Sequence, residues 1–107
     1  MSTNKKRTFE TGAHRNDDAG KNKMSLVPHK ELMRVMKRYR DGADNFGANN
    51  WQNGMKLTEL YDSAQRHLMA WFMKEGDEDH AAAAVWNILC AMWMEKNKQE
   101  MDDRNDF

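Results

Sequence analysis

At 107 residues, 32% of them charged, the chain is one small domain at most, and its single cysteine, Cys90, excludes an internal disulfide framework and suits a reducing compartment. The opening MSTNKKR runs into polar residues, against a signal peptide. The longest apolar run, 14 residues from Ala81 to Met94 with Asn87 inside it, falls short of the roughly 20 that span a bilayer, so a soluble, cytoplasmic protein with no membrane partner is expected.

The net charge of zero hides a split. Residues 1–40 carry eleven Lys/Arg against four Asp/Glu, and residues 41–107 carry six against thirteen. A basic half can meet phosphates or the acidic half of a neighbouring subunit.

Residues 1–25 lack apolar periodicity and are rich in Lys, Asn, Asp, Ser and Gly, so they read as an extended basic arm. Its end places Lys21 and Lys23 beside Gly20, a phosphate-facing segment or a plain basic tail, but without the spacing of a Walker loop. Pro28 suits the first turn of a helix. Leu32, Val35, Met36 and Tyr39 then form one apolar stripe, and Gly42 is the expected stop. Lys30, Arg34, Lys37, Arg38 and Arg40 fill the other face, which reads as solvated.

Residues 44–54, DNFGANNWQNG, form a loop of turn residues that holds Phe46 and Trp51. Such aromatics either lock the loop to the core or, as a lid, stack on a planar ligand. Thr58 is the expected N-cap of a second helix, with Leu60, Tyr61, Ala64, Leu68, Trp71 and Phe72 on its buried side. Asp62 and Arg66 are i, i+4 partners there, and Ser63, His67 and Trp71 form another row. Gly76 breaks the chain, and Asp77 to Asp79 supply cap and charge to a third helix.

That third helix is apolar throughout Ala81–Met94 except for Asn87, so it must be enclosed. His80, Asn87 and Met94 fall on one line of it. The alanines at 81–84 permit close helix approach, and three helices of this size cannot bury so much apolar surface alone. The expected fold class is therefore all-α: a three-helix core over residues 26–96 that assembles into a dimer or tetramer through the third helix. An acidic polar tail over 97–107 is expected to fray.

The polar groups around this hairpin suggest two chemistries. Glu75, Asp77, Glu78, Asp79 and His80 form a compact set of mostly oxygen donors that suits magnesium or manganese, though acidic residues before a helix are also ordinary caps. Zinc is not expected, because no pair of His or Cys has helical i, i+4 spacing. Alternatively, Arg66, His67, Lys21 and Lys23 can hold phosphates, Trp51 or Trp71 can stack a base, and Asn87 can read a base edge. An Arg66–Asp62 pair and a core Asn87 explain the same residues without a ligand. Cys90, inside the apolar helix, reads as a small hydrophobe.

The runs GADNFGANNWQNG and SAQRHLMAWFMKEGDEDHAAAAVWN resemble a family of small phage-encoded proteins described as dATP/dGTP diphosphohydrolase N-terminal-like. The resemblance covers Gly20 to Asn87, with Phe46 where the family prefers Tyr. It implies an all-helical fold similar to MazG-like nucleotide pyrophosphatases, which are oligomers that hold magnesium. Those enzymes carry paired glutamates on consecutive helices, whereas the corresponding helices here read S..RH..AW and H.A.A.WN. A site with Arg, His and Asn in place of glutamates favours an anion over a metal. The expectation is a nucleotide-binding homo-oligomer that needs no cofactor and captures a small nucleotide, cyclic or linear, without hydrolysing it. In an infected bacterial host, it would act as a sponge against immune signalling. The alternative is a magnesium-dependent triphosphate pyrophosphohydrolase that uses the acidic turn, and a third reading is a structural or inhibitor protein.

Overall fold

The structure, a computed structural model, describes residues 5–107. Three α-helices dominate it: α1 (His29–Phe46), α2 (Leu57–Phe72) and α3 (His80–Asn97). The all-α expectation needs one correction. The arm, whose first four residues lie outside the described ones, carries an antiparallel pair, β1 (Lys6–Thr8) and β2 (His14–Asn16), with Lys6 opposite Asn16 and Thr8 opposite His14. Gly12, at φ +88°, makes the turn, and the Arg7 guanidinium lies 4.7 Å from the centre of the Phe9 ring while pairing with Asp18 at 2.6 Å. The pair buries neither face, so no alternation marks it in the sequence.

Pro28 stands just before α1 rather than inside its first turn. The helix runs through Gly42, the expected stop, to Phe46. It ends at Gly47, whose φ of +95° suits glycine and whose N–H donates to the Ala43 carbonyl at 2.9 Å. Gly42 within a helix costs about 1 kcal/mol relative to alanine. The i, i+4 pair Arg40–Asp44 spans it, Lys37–Asp41 lies just before it, and both partly offset that.

Helix α2 begins one residue before the expected cap. Thr58 instead donates through both its N–H (3.1 Å) and its hydroxyl (2.5 Å) to the carboxylate of Asp103, so one of the free N–H groups of this helix end finds an acceptor 45 residues away. That contact belongs to the segment expected to fray. Residues 99–106 form two short 3-10 turns, Met101 packs against Gly54 and the core, and Arg104 pairs with Glu95 at 3.1 Å.

Helices α2 and α3 form an antiparallel hairpin whose core is Leu57, Leu60, Cys90 and Met94, flanked by Tyr39, Trp51, Trp86, Trp93 and Met101. Ala82, Ala83 and Ala84 are buried, and the sequence line His80–Asn87–Met94 is buried throughout. The outer faces differ from expectation. Tyr61, Leu68, Trp71 and Phe72 were expected inside and are exposed, and α3 shows Val85, Ile88, Leu89 and Met92 to solvent at i, i+3, i+4 and i+7. The single chain thus encloses only one side of its most apolar helix. Its radius of gyration is 18.9 Å, against about 13 Å for a compact domain of this length. No helix is long and apolar enough to cross a membrane among the described residues.

Candidate functional site

The turn between α2 and α3 is held by α1. Arg34 grips Asp79 with two parallel bonds, Nε to Oδ2 at 2.8 Å and Nη2 to Oδ1 at 2.7 Å. One helical turn on, Arg38 donates to Glu78 at 2.8 Å. Asp79 also accepts from the Ala82 N–H at 3.2 Å, capping α3. The Arg34 guanidinium holds the Asp79 carboxyl down at about 2, against an ordinary 3.8. The basic face of α1, expected to be solvated, supplies the clamp.

Behind the clamp two histidines meet. His67, on the last turns of α2, places Nδ1 2.9 Å from Nδ1 of His80, the first residue of α3, and the rings stand 5.2 Å apart. The other ring nitrogen of His80, Nε2, lies 2.7 Å from Asp77 Oδ1. His80 is buried. Burial lowers the His67 pKa, although nearby Glu78 opposes this, and the hydrogen bond to His80 lowers that of Asp77. Among the described residues, His67, Glu78 and His80 are the group whose donor atoms converge as metal ligands would, all within 4.8 Å of one another.

The magnesium set read from the sequence fits this geometry poorly. Asp79 is committed to Arg34 and the helix cap, Glu78 shares its charge with Arg38, and Asp77 is bonded to His80. Glu75 stands outside the converging group and is exposed. Magnesium takes an octahedron of oxygen ligands, whereas two of the three converging donors are imidazoles.

A second concavity opens beside α1. It has a volume of ≈ 580 Å³ and is lined by Arg38, Tyr39, Phe46, Trp51 and Trp86, with Asn45 and Asn50 among its polar groups. Trp51 packs edge-on against Trp93 and Tyr39, with ring centres 5.0 and 5.7 Å apart, so the loop aromatic is both core anchor and cleft wall. Phe46 remains exposed at the rim. The Trp86 indole Nε1 is buried with no hydrogen-bond partner. Burial pushes up the pKa of both Tyr39 and the Cys90 thiol, whose value reaches about 11, and the two meet at 3.7 Å.

The residues expected to bind a ligand are dispersed by the fold. Trp51 lines the cleft and His67 sits at the histidine pair. Asn87 is 4% exposed, donates to the Ala83 carbonyl at 2.9 Å, and does not line the cleft. The fold thus places Asn87 in the core, away from the cleft. Arg66 is exposed, and no Asp62–Arg66 ion pair forms among the described residues. Trp71 faces solvent, and Lys21 and Lys23 are exposed on the arm, Lys23 lying 3.6 Å from Asp18. Arg34, Arg38, Tyr39 and Trp86 were not singled out for a site. The i, i+4 arginines on α1 were the available signal for the first two.

A sequence model of the family described as "dATP/dGTP diphosphohydrolase, N-terminal" matches residues 11–104. No curated protein and no solved structure matches the chain.

Proposed function

The chain belongs to the dATP/dGTP diphosphohydrolase N-terminal family, and from that premise we propose that it binds a nucleotide in the aromatic cleft beside α1. One observation carries the reading: Trp86, whose buried indole N–H has no partner, is a wall of a cleft that is also lined by Tyr39, Trp51 and Arg38. A buried donor left unpaired costs roughly 1–3 kcal/mol, which a ligand oxygen would recover. A volume of ≈ 580 Å³ lies within the range of small-ligand pockets, roughly 300–1,000 Å³. In this reading the base lies against Trp51 and Tyr39, Trp86 donates to it, and Arg38 meets a phosphate. Arg38 thus takes the phosphate role first read onto Arg66 and His67. Lys21 and Lys23 join it only if the arm reaches the cleft of a neighbouring subunit.

In its finer form the proposal is capture without turnover. Asp77, Glu78 and Asp79 each have a cationic or imidazole partner, so among the described residues of the acidic turn only Glu75 is without one, where magnesium at a triphosphate calls for several free carboxylate oxygens. In a phage setting such a protein would withdraw a linear or cyclic nucleotide signal from a host defence. Hydrolysis of a dATP- or dGTP-like nucleotide is the second reading, favoured by the convergence of His67, Glu78 and His80. The apolar outer faces of α2 and α3 support assembly into a homodimer or tetramer in either case.

The test incubates the full chain with a pool of linear and cyclic nucleotides, with and without divalent metal. The filtrate and the heat-released fraction then go to mass spectrometry. Capture is expected as an intact nucleotide missing from the filtrate and recovered on heating, and a monophosphate product in the filtrate would instead establish hydrolysis. Trp86→Phe keeps the ring and deletes the N–H, so affinity should fall about fivefold, the loss of one hydrogen bond worth about 1 kcal/mol. Unchanged affinity would move the ligand out of this cleft.

A further inference from the structure

We propose that His67, Glu78 and His80 form a site for one divalent transition-metal ion of the zinc class, bridging the end of α2 and the start of α3. The inference does not rest on the nucleotide cleft. It starts from the 2.9 Å approach of two Nδ1 atoms. Two imidazole lone pairs this close repel unless something positive lies between them, either a proton or a cation.

Which nitrogen of His80 carries its proton follows from its other contact. Asp77 Oδ1 lies 2.7 Å from Nε2, and a carboxylate only accepts, so Nε2 carries the hydrogen. In neutral His80 the lone pair is therefore on Nδ1, aimed at His67. A carboxylate fixing one imidazole nitrogen so that the other is presented as a ligand is the arrangement found around protein-bound zinc. Glu78 completes the set. One of its oxygens accepts from Arg38, and a carboxylate has two, so it can serve the ion without releasing the arginine.

The distances need little change. Two nitrogens at 2.0–2.1 Å from a tetrahedral ion stand roughly 3.4 Å apart, so the rings must part by about half an ångström. Rotation of the imidazoles about χ2, a broad torsion, suffices for that. Two nitrogens and one carboxylate oxygen suit zinc, cobalt or nickel better than magnesium. Three protein ligands also leave a fourth position for water or a ligand oxygen, the pattern of open zinc sites. Helical spacing gave no hint of zinc, because His67 and His80 lie 13 residues apart on two helices and meet only across the hairpin.

Metal-free full-length protein is titrated at neutral pH with cobalt(II), then zinc. The expected result is one equivalent per chain, with visible bands of four-coordinate cobalt that zinc abolishes. His67→Gln should remove the bands. Asp77→Asn, which touches the ion only through His80, should weaken affinity roughly 10–100-fold while leaving the stoichiometry intact. Should His67→Gln lose its helical circular dichroism, Glu78→Gln, at an exposed position, makes the same test. Absence of uptake, or uptake unchanged in both His67→Gln and Glu78→Gln, would overturn the site and leave the histidines as a hydrogen-bonded pair that closes the hairpin.

Discussion

Met92 and Met94 sit two residues apart on α3, and their surroundings are opposite. Met94 is fully buried among Leu57, Leu60 and Cys90, whereas Met92 is 58% exposed in a stripe with Val85, Ile88 and Leu89. The same helix thus has an inner face completed by its own chain and an outer face that the chain leaves uncovered. Apolar composition cannot separate the two. What separates them is whether α1, α2 and the short 3-10 turn over Asn50–Asn53 happen to reach that side. An uncovered stripe of this kind is one that an interface would cover, and we propose that a second copy of α3 supplies the matching apolar surface.

The sharpest way to break this contrast is to shorten both methionines. Met94→Ala should cost about 2–5 kcal/mol, because the neighbours cannot collapse fully into the space left behind. Met92→Ala should change the stability of the isolated chain by no more than about 0.5 kcal/mol. Urea unfolding of the two variants at low protein concentration measures the difference, and equal losses would mean that the outer face is already covered in solution.

A smaller effect on the fold, and a larger one on assembly, is expected from Ile88→Glu. A charge in the centre of the outer stripe should reduce the particle mass in light scattering towards the 12.6 kDa of one chain, without loss of helical signal. If the native protein already scatters as a single chain, the interface reading fails.

The smallest effect concerns the clamp. Asp79 titrates at about 2 in the fold and at 3.8 ordinarily, so its contribution is complete above 3.8 and is lost as the pH falls from there towards 2. Both side chains are substantially exposed, so solvent screening keeps the effect modest. Arg34→Gln should lower the neutral plateau modestly and flatten this part of the stability–pH curve, so that the two proteins converge near pH 2. Parallel curves for the two proteins would show that the clamp orders the turn without stabilising it.

Local periodicity made much of the architecture legible. The α2–α3 hairpin, the Asp79 cap and the buried line His80–Asn87–Met94 follow from spacing along single helices, where residues three, four and seven apart share a face whatever the rest of the chain does. The resemblance to the family was legible for the same reason, since it lies in short runs around these elements. Errors came where local and long-range signals compete. Gly42 looked like a helix end, but Arg40 pairs with Asp44 across it and Gly47 supplies the stop. The last residues looked like a tail because nothing nearby shows that Asp103 has two donors waiting on Thr58.

By itself, then, the sequence determined the helical character, the apolar third helix and the polar groups available at its start. Only the tertiary structure decided that Arg34 and Arg38 of α1 grip the acidic turn, that His67 meets His80, and that Trp86 borders a cleft beside Arg38. Each of these depends on how separate elements cross. A helical period fixes which residues share a face, but the partner that each face meets is set by packing between elements far apart in the chain.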